Sequence, residues 1–307
     1  MSDDTAAVPP RNHHDQSDGA RPSLSLVVPT RHTWETLAPH FDPFLPELRA
    51  VGAELVVVGL GGITPTATPA GVRAIADREP DMLRLRLRAL REARGAIIAL
   101  GEDHSIPAPD WPRAVLQAHA EHEGVPAIVG CLVNAAERTV AGRANFLAFA
   151  GPYAPPMPVV PDWRPPPLAT LSFKHEVLDG LDERPGSLDG LANRLFDEGQ
   201  MIADDRVVIL HAQDLGVTGS IRNAFTVTRA AYGYATDRLE PGRRSETVRW
   251  VVTHLPSMVW HAARDNQPPT RSRRAELMIV AAMAGANAAG AVLGSLAGPG
   301  RAPNRYE

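Results

Sequence analysis

Cysteine is nearly absent: Cys131 stands alone among 307 residues. One thiol excludes an internal disulfide and any zinc site built on cysteine thiolates, and it fits a reducing compartment. Lysine is as scarce, Lys174 being the one lysine among 31 basic residues. Those 31 are outnumbered by 35 acidic residues, a formal net charge of -4, so no surplus of positive charge marks a dedicated nucleic-acid binder. Residues 1–22 contain no apolar run; they read as a disordered tail rather than a signal peptide or anchor, and His13-His14 within them as solvated. The cluster Gly59, Gly61 and Gly62 lacks the spacing of a dinucleotide-binding turn or a P-loop. What remains, 44% hydrophobic with 21% charged residues, is the composition of a folded, soluble chain, for which a cytoplasmic location is expected.

Short apolar runs stopped by glycine, proline or polar residues recur along the first two thirds. LSLVV (24–28), ELVVVG (54–59), AIIAL (96–100), PAIVGCLV (126–133) and RVVILHA (206–212) read as buried strands. Helical stretches fall between them. One spans 33–48, broken by Pro39, Pro43 and Pro46. Another spans 82–95, stopped by Gly95, and a third is opened by Asp110-Trp111-Pro112, with Asp110 as cap, and runs to about Glu123. A fourth covers 188–199. Strands alternating with helices predict an α/β fold with a mostly parallel sheet and flanking helices. In such sheets ligands sit beyond the carboxyl ends of the strands.

The stretch 151–167 is dense in proline and reads as a stiff loop or a lid. From about Ile221 the chain is rich in helix, predicting a C-terminal helical extension. Within it, residues 277–298 hold no charge. Ala286, Gly290, Gly294 and Gly298 recur every fourth residue and form a small-residue face that lets another helix approach closely. A helix packed on its own domain or on a second copy is the favoured reading. Peripheral membrane contact is the alternative, with Arg264, Arg271, Arg273 and Arg274 placed to meet anionic lipid on the inner face.

The strongest local signal is Glu102-Asp103-His104, directly after AIIAL. Carboxylates and an imidazole at a strand's carboxyl end suit a divalent cation, Mn or Mg, bridging protein oxygens and phosphate oxygens. Other candidates read as packing. His175 and His211 lie in apolar surroundings, Cys131 lies inside a strand, and His119 with Glu121, His122 and Glu123 reads as a solvated face. Trp163 can offer its ring face to a ligand, though holding its loop to the body is the commoner outcome.

Several segments in order resemble glycosyltransferase family 2, which has the GT-A fold. LSLVVPTRH is similar to its opening strand, ELVVVGLGG to its second strand, and Arg86–Gly95 to its Arg-Asn-x-Gly-x-x-x-Ala-x-Gly helix. Glu102-Asp103-His104 stands in the place of Asp-x-Asp, LATLSFKHEVL (168–178) is similar to an acceptor-side segment, and RLFDEG with VVILHA to its closing elements. The resemblance covers about 23–235, with 236–307 as the helical extension. It implies inverting transfer of a sugar from a nucleotide diphosphate sugar to an acceptor hydroxyl. It further implies donor contacts at Pro29, Thr30, Arg31, Arg86, Glu102 and Asp103, a metal held by Glu102 and His104, and acceptor contacts at Trp163 and His175. There are departures. Gly59 stands where the family carries a base-reading Asp, Leu87 replaces the helix Asn, and the catalytic Glu-Asp pair falls on Ser187-Leu188, leaving Asp189 as the base implied. These losses keep open an alternative: a catalytically silent GT-A-like protein that binds a nucleotide sugar or a partner protein.

Overall fold

Seven consecutive buried residues, Leu24–Thr30, form strand β1; with no face left for water, this run has to lie in the middle of a sheet. The computed structural model describes residues 21–59, 68–157, 167–236, 241–265 and 271–305. Nearly all of the tail expected over 1–22, Gly61 and Gly62, and the part of the proline loop that holds Trp163 lie outside them.

The remaining strands are β2 (Glu54–Gly59), β3 (Val72–Ala76), β4 (Ile97–Leu100), β5 (Ser105–Pro107), β6 (Ala127–Asn134), β7 (Leu171–Lys174) and β8 (Met201–His211). They build one eight-stranded sheet in the order β3-β2-β1-β4-β7-β6-β8-β5. β3, β2, β1 and β4 run parallel, β7 is antiparallel to β4 and β6, β8 is parallel to β6, and β5 is antiparallel to β8. The sheet is therefore mostly parallel and the fold is α/β, as the alternation of strands and helices implied. The core lies between it and helices α1 (Trp34–Phe41), α2 (Leu45–Ala50), α3 (Met82–Glu92), α4 (Trp111–Glu121), α5 (Val140–Phe149) and α6 (Ser187–Asp197), with Phe41, Leu85, Trp111 and Phe173 among its fully buried side chains.

Several local expectations change. The segment 33–48 is two helices, with Pro39 inside α1 and Pro46 in the first turn of α2, where its missing N–H costs nothing. Asp81, not a glycine signal, sets α3: its carboxylate accepts from the Leu83 and Arg84 N–H groups. The helix ends where Ala93 turns extended, and Gly95 serves instead for close approach to the Ser25 backbone. Asp110 precedes α4 without capping it through its side chain.

Helices α7 (Gly216–Thr236), α8 (Pro241–Asp265) and α9 (Arg273–Ala297) follow the last strand. α9 is long and apolar enough to cross a membrane by length and composition. Its small-residue face packs on α7: a methyl group on Gly290 would come within 2.2 Å of the Phe225 carbonyl oxygen, and one on Gly294 within 2.5 Å of that of Arg229. The glycine spacing thus serves intramolecular helix packing. Glu276, buried in α9, is matched by Arg143 of α5 at 2.6 Å, and Arg273 lies 3.9 Å from its other oxygen.

Candidate functional site

β4 delivers Glu102, Asp103 and His104 to the carboxyl rim, where each acidic side chain has its own support. Glu102 accepts from Arg86 of α3 at 3.1 Å, the arginine being almost wholly buried. Asp103 accepts from the Thr30 hydroxyl, at the end of β1, at 2.9 Å. His104 lies between them, Nδ1 3.1 Å from Asp103 Oδ1 and Nε2 3.2 Å from Glu102 Oε2. His40 and His32 approach Asp103 from outside, at its carbonyl (3.2 Å) and its carboxylate (3.7 Å).

The fourth member comes from β8. Ser105 of β5 pairs with His211, and the Ala212 N–H donates to the His104 carbonyl, which brings the His211 ring beside that of His104. One ligand atom from each of Glu102, His104 and His211 lies within 4.8 Å of the other two. Ligands about 2.0–2.2 Å from a common ion stand roughly 3–4.5 Å apart, so small side-chain adjustments would bring these three atoms onto one divalent cation. His211 Nδ1 is buried without a hydrogen-bond partner among the described residues, an orphaned atom beside that set. One carboxylate and two imidazoles suit Mn better than the harder Mg.

The charge states follow from the packing. Burial disfavours ionised Glu102, yet the hydrogen bond and charge of His104, and then Arg86, hold its carboxyl well below the usual range. Burial likewise opposes a charged His104, but Asp103 and Glu102 outweigh it and raise its pKa to about 9. His211 is pushed down to about 4, by burial first and the neighbouring His104 second, so it is neutral with a lone pair to offer. Burial raises Asp189, and the positive charge of Arg86 works against that rise. Asp189 in the first turn of α6 therefore shares an electrostatic neighbourhood with Arg86 and Glu102.

Other residues singled out in the sequence fall differently. Pro29 and Thr30 are buried in β1, and the Thr30 hydroxyl donates to Asp103 and accepts from the His32 N–H. Arg86 is committed to Glu102. Arg31 donates to the carbonyls of Pro80, Pro303 and Asn304 instead of facing the rim. His175, expected on the acceptor side, lies at the opposite end of β4, where its N–H donates to the Ala96 carbonyl and Nδ1 lies 3.0 Å from that of Gly95. Trp163 lies outside the described residues. His119, expected in a solvated face, is buried in α4 with Nε2 2.9 Å from Ser172 Oγ. His211 is buried as expected, but it stands at the site, and sequence reasoning missed that. The available signal was its place at a strand's carboxyl end, the same rim as Glu102.

Gly59 has a physical reason. It pairs with Thr30 in parallel register, and a methyl group there would lie 1.8 Å from the Thr30 carbonyl oxygen, so the end of β2 has no room for any side chain. A carboxylate does stand on the same rim one strand over. The Asp77 N–H donates to the Gly59 carbonyl, and the Asp77 carboxylate accepts from Arg88 at 2.6 and 2.7 Å.

No protein-family model matches the chain, nor does any curated protein. Among solved structures it is similar to a mycobacterial protein at 18% identity and a TM-score of 0.50, over 71% of this chain and 75% of that one. It is also similar to glucosyl-3-phosphoglycerate synthase from Mycobacterium tuberculosis in complex with phosphoglyceric acid, at 17% identity and a TM-score of 0.48, over 71% and 80% of the two chains. The same synthase in complex with Mg2+ and uridine diphosphate matches at 18% identity and a TM-score of 0.48, over 71% and 79%. At such identities the likeness is one of fold.

Proposed function

We propose that the chain is a metal-dependent glycosyltransferase, moving a sugar with inversion from a nucleotide diphosphate sugar to an acceptor hydroxyl. The observation that carries this reading is the Glu102–His104–His211 set at the carboxyl ends of β4 and β8, where an α/β sheet of this kind binds its ligands. These three side chains would hold Mn or Mg, and the ion, when bound, would neutralise charge on the departing diphosphate. Arg86 keeps Glu102 ionised and fixed in place, while Thr30 does the same for Asp103. Asp189 takes the proton of the acceptor hydroxyl as its oxygen bonds to the anomeric carbon and the bond from that carbon to the diphosphate oxygen breaks. Its raised pKa makes it a better base than an exposed aspartate. Glucosyl-3-phosphoglycerate synthase, with its phosphoglyceric acid ligand, suggests a small hydroxy acid as the first acceptor to try.

The test is thermal stability of the purified protein against nucleoside diphosphates, each with and without Mn2+. A ligand at a hundredfold excess over its Kd stabilises by about 2.7 kcal/mol, which a melting scan resolves. Stabilisation by one nucleotide only with metal supports the donor site. No stabilisation by any pair removes it.

A further inference from the structure

Each acid of the Glu102-Asp103 pair hangs on a different element: Asp103 on β1 through Thr30, and Glu102 on α3 through Arg86. Arg31 joins those two elements to a third. It follows Thr30 directly, and its guanidinium donates to the carbonyl of Pro80, the residue before the α3 cap Asp81, and to the carbonyls of Pro303 (2.9 Å) and Asn304 (2.8 Å). The C-terminal turn Ala302–Arg305 that supplies the last two is itself seated: Ala302 packs with Leu83 of α3 and Ala230 of α7 in a small buried cluster. Tyr234 of α7 bonds to Asp81 beside it. Three main-chain oxygens from two segments match the planar fork of an arginine, a geometry that a lysine ammonium does not reproduce.

We infer that Arg31 is a positioning residue, and that the C-terminal turn, through Arg31, is a working part of the donor site. The turn sets the spacing between the end of β1 and the start of α3, and hence between the two supported carboxylates. The inference rests on the proposed function for what the site binds, though not for the coupling itself.

The experiment compares five proteins: the parent, Arg31→Ala, Arg31→Lys, a chain truncated after Gly300, and the same truncation carrying Arg31→Ala. Binding of Mn2+ and of uridine diphosphate with Mn2+ is titrated, and amide exchange is followed at His32, whose N–H donates to Thr30 Oγ1, and at Leu83, which donates to Asp81. Arg31→Ala and the truncation should each weaken nucleotide binding about tenfold, and the combination should be no worse than either, because both remove one staple. Arg31→Lys should recover only part, and both amides should exchange faster in every variant that breaks the staple. Arg31→Ala leaves Ala302 seated, so its effect is separable from a general loss of folding after truncation. Fully additive losses, or a truncation that leaves binding and exchange unchanged, would overturn the inference. If the parent binds no nucleotide or metal, the proposed function falls, and the exchange comparison decides the coupling alone.

Discussion

The His104 and His211 rings meet edge to face, their centroids 5.0 Å apart and their planes at 87°, with a Glu102 carboxylate oxygen within 4.8 Å of a nitrogen of each. One imidazole is held protonated by two carboxylates and the other is held neutral by burial, so the pair is asymmetric before any ligand arrives. His211 has a lone pair to offer, whereas His104 has to release a proton before both rings can hold one cation.

Replacing either histidine tests this arrangement. His211→Ala and His104→Ala are each expected to reduce Mn2+ affinity by about 100-fold or more, since losing even a supporting residue of a metal site costs about 10–100-fold. Titration of Mn2+ by its paramagnetic signal checks this. Unchanged affinity in His211→Ala would remove β8 from the site.

For Asp189, substitution should separate binding from turnover. Asp189→Asn is expected to lower kcat by roughly 10²–10⁴-fold with little change in donor binding, the signature of a lost general base. A variant that keeps full turnover would show that Asp189 is only an acid placed at the start of α6.

Stability should depend on pH through His119. Burial first, and the Lys174 charge second, lower its pKa to about 4, while its unfolded value lies near 6.5. Between these values the unfolded chain binds the extra proton and the folded one does not. The contribution is therefore present in full above about pH 6.5 and is lost as pH falls towards 4, up to about 3 kcal/mol. His119→Gln should flatten that part of the curve of melting temperature against pH, and an unaltered slope would refute the assignment.

Helix packing offers a fourth check. Gly290→Val places carbon atoms against the Phe225 carbonyl, so α7 and α9 have to separate, at a cost of about 3 kcal/mol. Calorimetry should show a lower melting temperature. An unshifted transition would mean that the two backbones are not in contact.

Much of the fold was legible because its central strands are unbroken apolar runs. β2 begins and ends where ELVVVG does, and β4 lies within AIIAL. β3, β5 and β7 were not legible: three to five residues, edge-exposed or short, carry too little pattern to be told from loop. β8 reads late because Asp204-Asp205-Arg206 interrupts its apolar pattern near the register shift at Gly130/Cys131. Glu102-Asp103-His104 was visible because position along a strand is a property of the sequence. His211 was not, because its nearness to His104 depends on β5 and β8 pairing across the chain. His119 was misread for a related reason: charged neighbours in the sequence say nothing about which side of a helix the sheet covers.

The crowding at Gly59 also limits how the chain can change. A laboratory that wished to graft a base-reading aspartate onto β2 would find the position closed by the Thr30 carbonyl. Under the proposed function, selection for a different nucleotide has no path through residue 59 and has to act on other positions of the rim, where Asp77 and its Arg88 partner already stand. The tight pairing that makes β1 and β2 a rigid floor also decides which mutations can alter what rests on it.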